Sequence, residues 1–450
     1  MEVTRSVLDH IERHEPAINA FVTRTPDLAI DQARHAEDCY VSGNVDQPLL
    51  GIPVSIKDLT ITRGIRTTRG SLLHRDYIPD FDSPISERLG RSGGIMLGKT
   101  TTSEYGWKGD SGNRVNGPAR NPWNPELTPG GSSGGAAAAV AAGFGPIAHG
   151  NDGAGSVRIP AAFCGVYGIK PSFGLIPTYP PSALPYLSHN GPLARTVRDA
   201  ALMMNVLAGP DPRDKNSLGE TGIDYLAACD APIDGLKIAW SPDLGYAPVE
   251  PGVRELAEAA ARVFESLGCQ VDVVNPGILD PWPELDLIWQ VAQAVVYADN
   301  FDDVKDQLDP GRVEIIERGM KASSIAVAKA NASVFTYADR WREFMENYDL
   351  LLTPTLPITA FPAGDDHPES VAGVKSDYLD WTKFTYPFNV TGQSAATVPC
   401  GFTDDGLPVG LQIVGRWRDD VSVLAASAAF EAARPWRHHI PGRITDLRAF

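Results

Sequence analysis

Lysine and serine are side chains from which a nucleophile and its base can be assembled, and three segments of this chain present them together with glycine. The first, Gly51-Ile52-Pro53-Val54-Ser55-Ile56-Lys57-Asp58, places a lysine at the end of an apolar run. The second is the loop Thr128-Pro129-Gly130-Gly131-Ser132-Ser133-Gly134-Gly135, and the third is Asn151-Asp152-Gly153-Ala154-Gly155-Ser156-Val157-Arg158-Ile159-Pro160. Singly, each has a plain structural explanation. A lysine after an apolar strand commonly extends its amine to water, a Gly-Ser loop punctuates, and a serine behind Gly-Ala-Gly can cap a helix. Their joint occurrence in one order points instead to shared chemistry, because a serine hydroxyl is a weak nucleophile until a base lies within hydrogen-bond reach.

Three other matches read as coincidence. Gly93-Gly94-Ile95-Met96-Leu97-Gly98-Lys99-Thr100 fits the phosphate-loop pattern letter for letter. Such a loop must be flexible between strand and helix; here its middle is apolar and reads as a buried strand. Gly131-Ser132-Ser133-Gly134-Gly135 fits a nucleophile elbow, which must follow a strand. The preceding NPWNPELTPG holds three prolines in ten residues, and His189, His367, His438 and His439 lack supporting context. His10 and His14 sit four apart on a helix without a third ligand, and are expected at its solvated edge.

The positioning elements alternate between strand and helix, as in an α/β protein with a covered sheet. Val3, Val7, Leu8 and Ile11 recur at helical spacing, a pattern already under way at residue 1 that allows further residues upstream. Further helices are expected over Pro26 to Tyr40, Ser86 to Ser92, Ser133 to Ala142, Val253 to Leu267, Ser323 to Tyr348 and Asp419 to Ala433. Strands are expected at Leu50 to Ile56, IMLG (95–98), GLKIAW (235–240), CQVDVV (269–274), DLLLTPT (349–355) and GLQIVG (410–415). No repeat or long linker interrupts them, so residues 1–450 read as one large domain.

The 450 residues are 43% hydrophobic, a globular composition. With 39 Lys and Arg against 56 Asp and Glu, the net charge is −17. That disfavours nucleic acid and anionic membranes, both of which bind through cations. Five scattered cysteines (Cys39, Cys164, Cys229, Cys269, Cys400) fit a reducing cytoplasm better than a disulfide framework. Leu127 to Asn151 is uncharged and long enough to span a bilayer, but its Gly, Ala and Ser content and Pro129 and Pro146 argue against insertion.

Read together, the three segments resemble the amidase signature family of serine hydrolases. The likeness includes PGGSSGGAAAAVAAG (129–143) and AAFCGVYGIKPS (161–172). It continues through GPLARTVRD (191–199), FNVTG (388–392) and GLPVGLQ (406–412). It covers the chain to about residue 435, with core motifs at 50–200 and 385–435, and is weakest over about 210–380, which is expected to be a variable substrate-pocket region. The resemblance implies a single large domain built on a mixed, twisted β-sheet covered by helices on both faces. It also implies a Ser–cis-Ser–Lys triad: Ser156 as nucleophile, Ser132 as bridge after a cis Gly131–Ser132 bond, and Lys57 as base. No histidine is suitably placed to serve instead, and burial of Lys57 would keep its amine neutral. The N–H groups of Gly153, Ala154, Gly155 and Ser156 would form the oxyanion hole.

Asp152 and Arg158 are expected to pair and hold that loop, and Cys164 to pack. Ala154 stands where the family carries glycine, and Gly153 where a larger residue is common, leaving room beside the carbonyl. Tyr105, Gly106, Trp107 and Gly131 are candidate substrate contacts, with Tyr179 and Tyr186 as further aromatic candidates. The implied activity is hydrolysis of small, aryl amides and of carbamates, with no cofactor or metal, a small-molecule partner only, and room for a homodimer. The alternative is the glutamine-hydrolysing subunit of a tRNA-dependent amidotransferase. Segment 178–190 (TYPPSALPYLSHN) lacks the serine/aspartate text associated with that branch.

Overall fold

The computed structural model describes residues 1–442. Eleven strands form one sheet: β1 (Phe21–Arg24), β2 (Pro53–Lys57), β3 (Ile95–Thr100), β4 (Ile147–Asp152), β5 (Tyr167–Lys170), β6 (His189–Ala194), β7 (Lys237–Trp240), β8 (Gln270–Val273) and β9 (Leu350–Pro354). The chain then makes a separate small hairpin, β10 (Ser370–Val371) and β11 (Val374–Lys375), before β12 (Ala395–Phe402) and β13 (Pro408–Gly415) complete the sheet. Its order is β1-β3-β2-β4-β6-β5-β12-β13-β9-β7-β8. β3, β2 and β4 run parallel, as do β9, β7 and β8, while the strands between them pair antiparallel. The sheet is mixed, as expected.

Successive side chains on a strand point to opposite faces, and the core divides accordingly. Met96 and Ile147 join the larger cluster, with helix α3 (Pro84–Arg91) and helices Val197–Leu207 and Asp420–Ala433. Leu97 and Ala148, one residue on, join a second cluster with α1 (Glu2–Ile18), α4 (Gly134–Ala141) and α5 (Arg158–Cys164). Helices therefore cover both faces. The alanine-rich run lies entirely within the second cluster, which accounts for its lack of charge. Among the described residues no helix is long and apolar enough to cross a membrane.

Most expected elements form, with shifted ends. The Leu50–Ile56 strand begins only at Pro53, because a turn closes from Ile52 N–H to the Leu49 carbonyl (2.9 Å). The Ser86–Ser92 helix begins earlier, at Pro84, where the Ser83 hydroxyl caps it by accepting from Ser86 N–H (3.2 Å). Val253–Leu267 is two helices, Pro251–Ala261 and Val263–Ser266. The 93–100 match is β3, buried along its whole length. Lys99 Nζ donates to the Thr60 carbonyl (2.6 Å) and Thr67 Oγ1 (2.8 Å), and lies 3.7 Å from Asp58. It is held by protein rather than phosphate. His10 departs from expectation: it is buried and donates through Nε2 to the Ala142 carbonyl (2.8 Å), joining α1 to the end of α4.

Candidate active site

Parallel register between β2 and β4 (Ile56 opposite His149) brings Lys57 and Asn151 to the same edge of the sheet. The carboxyl ends of parallel strands are where open α/β sheets build their sites. Lys57 is fully buried and its Nζ donates to Ser132 Oγ (2.8 Å) and to the Asn151 carbonyl (3.3 Å). Burial pulls the Lys57 amine down to about 7, with Asp152 pulling only partly the other way. An amine held there can shed its proton near neutral pH, leaving a lysine able to accept one.

Ser132 follows a cis Gly131–Ser132 peptide bond. Its neighbour Ser133 turns away: Ser133 Oγ donates to the Asn151 carbonyl (3.1 Å) and Ser133 N–H to the Ser156 carbonyl (3.2 Å), tying the serine loop to β4 and to the Ser156 turn. Ser156 lies in the turn between β4 and α5 and lines one cavity with Lys57 and Ser132.

The turn carrying Ser156 is wrapped around Asp152. Its carboxylate accepts from Gly155 N–H (2.7 Å), Val157 N–H (3.1 Å), Arg158 Nη2 (3.0 Å) and Nε (3.1 Å), and Asn389 Nδ2 (2.8 Å). Burial pushes the Asp152 carboxyl up, but Arg158 and these donors outweigh it and hold the group well below the usual carboxylate range. The expected Asp152–Arg158 pairing forms. Of the four N–H groups expected to form an oxyanion hole, that of Gly155 is engaged by Asp152. The N–H groups of Gly153, Ala154 and Ser156 meet no acceptor among the described residues.

The cavity measures about 430 Å³. Tyr105 and Gly106 line it. Trp107 does not: it is buried beneath the site, stacked on Tyr378 (6.2 Å between centroids), and accepts at its carbonyl from Trp289 Nε1 (3.2 Å). The two residues before it, Tyr105 and Gly106, both adopt positive φ (52° and 73°). Gly131 is also set back, since a Cβ there would meet the Asp110 carbonyl oxygen at 2.3 Å. Tyr186 is 52% exposed and Tyr179 packs on Phe81 beneath the Arg213 guanidinium, so neither lines the cavity. Cys164 is buried, its thiol directed to the Pro129 carbonyl (3.5 Å).

Sequence reasoning placed part of the pocket within 210–380 but named none of its residues. Trp289, Ala292, Gln293 and Val296 line it from helix Trp282–Val295 and the residue that follows. Their spacing is helical, a signal present in WPELDLIWQVAQAVV (282–296). His189 also lines the cavity. Its Nδ1 donates to the Leu187 carbonyl (2.7 Å), and burial keeps the ring neutral. Asn190 accepts from Asn151 Nδ2 (2.6 Å), bracing the strand that supports Lys57.

With this geometry in place, the comparisons with known proteins are decisive. The family model described as Amidase matches residues 2–424. The chain belongs to the amidase family. An acylamidase of Rhodococcus erythropolis is 39% identical over 448 residues, covering 98% of this chain and 93% of that protein. One of the glutamyl-tRNA(Gln) amidotransferase subunits of Thermosynechococcus vestitus is 34% identical, covering 98% of this chain and 96% of its own length. The crystal structure of a bacterial aryl acylamidase superposes with a TM-score of 0.92 at 33% identity, covering 100% of this chain and 94% of that one. This amidase is therefore an amidohydrolase on a fold shared across its whole length.

Proposed function

We propose that the protein hydrolyses the C–N bond of small aryl amides, and of carbamates with the same carbonyl geometry, through an acyl-enzyme on Ser156. The observation that carries this reading is the 2.8 Å contact between a buried Lys57 held near 7 and Ser132 Oγ, beside Ser156 in one cavity. The likeness to an acylamidase and to an aryl acylamidase supports the aryl amide as substrate.

Neutral Lys57 accepts the Ser132 proton while Ser132 accepts the proton of Ser156, whose Oγ bonds to the carbonyl carbon. The N–H groups of Gly153, Ala154 and Ser156 stabilise the resulting oxyanion. The intermediate collapses by breaking the C–N bond, and the proton returns through Ser132 to the departing amine. Water then adds to the acyl-enzyme by the same relay, releasing the acid and restoring Ser156.

Amine release from a panel of anilides, an aryl carbamate and glutamine tests this. Turnover of an anilide or the carbamate should fall by roughly 10⁴–10⁶-fold in Ser156→Ala. Silence on those substrates, or turnover that survives Ser156→Ala, would sink the assignment. Glutamine turnover alone would favour the second reading, a glutaminase component of an amidotransferase, which the amidotransferase relatives support.

A further inference from the structure

One corner of the cavity is made of hydrogen-bond donors. Arg312 is fully buried, its guanidinium between the rings of Tyr105 (4.5 Å) and Tyr297 (5.0 Å). Its Nε donates to Gln293 Oε1 (2.9 Å) and its Nη1 to Tyr297 Oη (3.2 Å), with Glu104 at 3.6 Å. The remaining nitrogen, Nη2, is buried without a partner. Arginine can only donate, so Arg312 fixes the Gln293 amide with its oxygen inward. That leaves Gln293 Nε2 as a donor at the cavity wall, with no acceptor among the described residues. Arg69 completes the corner: it lines the cavity, lies over Tyr105 (5.7 Å), and forms no ion pair among the described residues.

The charge count is as one-sided as the donor count. Glu104 offsets Arg312, leaving Arg69 uncompensated. No aspartate or glutamate lines the cavity among the described residues, in a chain of net charge −17. A buried donor without a partner, such as Arg312 Nη2, is costly, and a carboxylate supplies the acceptor oxygens and the negative charge this corner lacks.

We propose that Arg69, Gln293 and Arg312 form a carboxylate subsite, so that the preferred substrates are amides carrying a carboxylate remote from the scissile bond. This rests on the reading of Ser156 as the acylated residue and narrows its substrate class.

Two matched pairs test it, one for each side of the amide: succinanilate against butyranilide, and 4-acetamidobenzoate against acetanilide. In at least one pair kcat/KM should favour the anion by about ten- to hundredfold, the value of a charge-assisted contact. That ratio should collapse in Arg69→Met and reverse in Gln293→Glu, which sets a carboxylate against the ligand's own. Equal turnover within both pairs, or a preference that survives both substitutions, would overturn the subsite while leaving the Ser156 chemistry intact. If no anilide is turned over, calorimetric binding of the same pairs decides the subsite, and the Ser156 reading fails only if the carbamate is silent too. Tighter binding of an anion, lost in Arg69→Met, supports it; equal binding of both members overturns it.

Discussion

Lys57 acts as a base only while its amine is neutral, and the fraction that is neutral depends on pH. Its ordinary value near 10.5 falls to about 7 in the folded protein because burial penalises the charged form. Loss of a proton creates the active base, so kcat/KM on an anilide should rise about tenfold per pH unit below about 7 and level off above it. Lys57→Arg should be inactive by roughly 10³-fold or more at every pH, since a guanidinium does not deprotonate. A flat wild-type profile through neutrality would place the Lys57 amine away from 7, and activity retained in Lys57→Arg would rule Lys57 out as the base. The three residues of this relay were legible because Ser132 and Ser156 stand in glycine-dense text and Lys57 closes the apolar run GIPVSI, all in one order. Arg69, Gln293 and Arg312 were not, being single polar residues in unpatterned surroundings that meet only through tertiary packing. Trp107 was misplaced for a related reason: its packing on Tyr378 and Trp289 is tertiary and leaves no mark in the local sequence.

At the scale of the element, the turn from β4 into α5 decides where Ser156 sits. Gly155 adopts φ +129°, and a Cβ there would meet Thr385 Oγ1 at 2.3 Å. Thr385 Oγ1 in turn donates to the Ala154 carbonyl (2.7 Å), fixing the peptide between Ala154 and Gly155. Gly155→Ala must therefore move either the turn or Thr385. We expect kcat to fall by about 10²-fold or more, the scale of losing one oxyanion donor, with binding of a substrate analogue less affected. Near wild-type kcat would show that the turn tolerates the shift and that its position is not critical. Long helices such as Ser324–Phe344 and strands such as Leu350–Pro354 were foreseeable from periodicity. Their ends moved with local hydrogen bonds, as the Ser83 cap and the turn at Leu49 show.

Across the whole molecule, the site is clamped by a segment far away in the chain. Arg158 donates through Nη1 to the Thr385 carbonyl (2.9 Å) and Gln412 Oε1 (2.8 Å), and through Nη2 to Asn389 Oδ1 (2.6 Å), besides Asp152. The 388–392 and 406–412 motifs thus fasten the Ser156 turn to β13, which the sequence could show only as recurring text without contacts. Asp152 and Arg158 are both fully buried, so removing either leaves the other charged and unmatched. Asp152→Asn and Arg158→Met should each destabilise the fold by about 3–5 kcal/mol. The double variant should lose clearly less than the two losses combined, because it strands no charge. Denaturant midpoints of the four proteins measure this coupling. Additivity within about 0.5 kcal/mol would mean that the two residues act separately, and that the Ser156 turn is held by its backbone rather than by this pair.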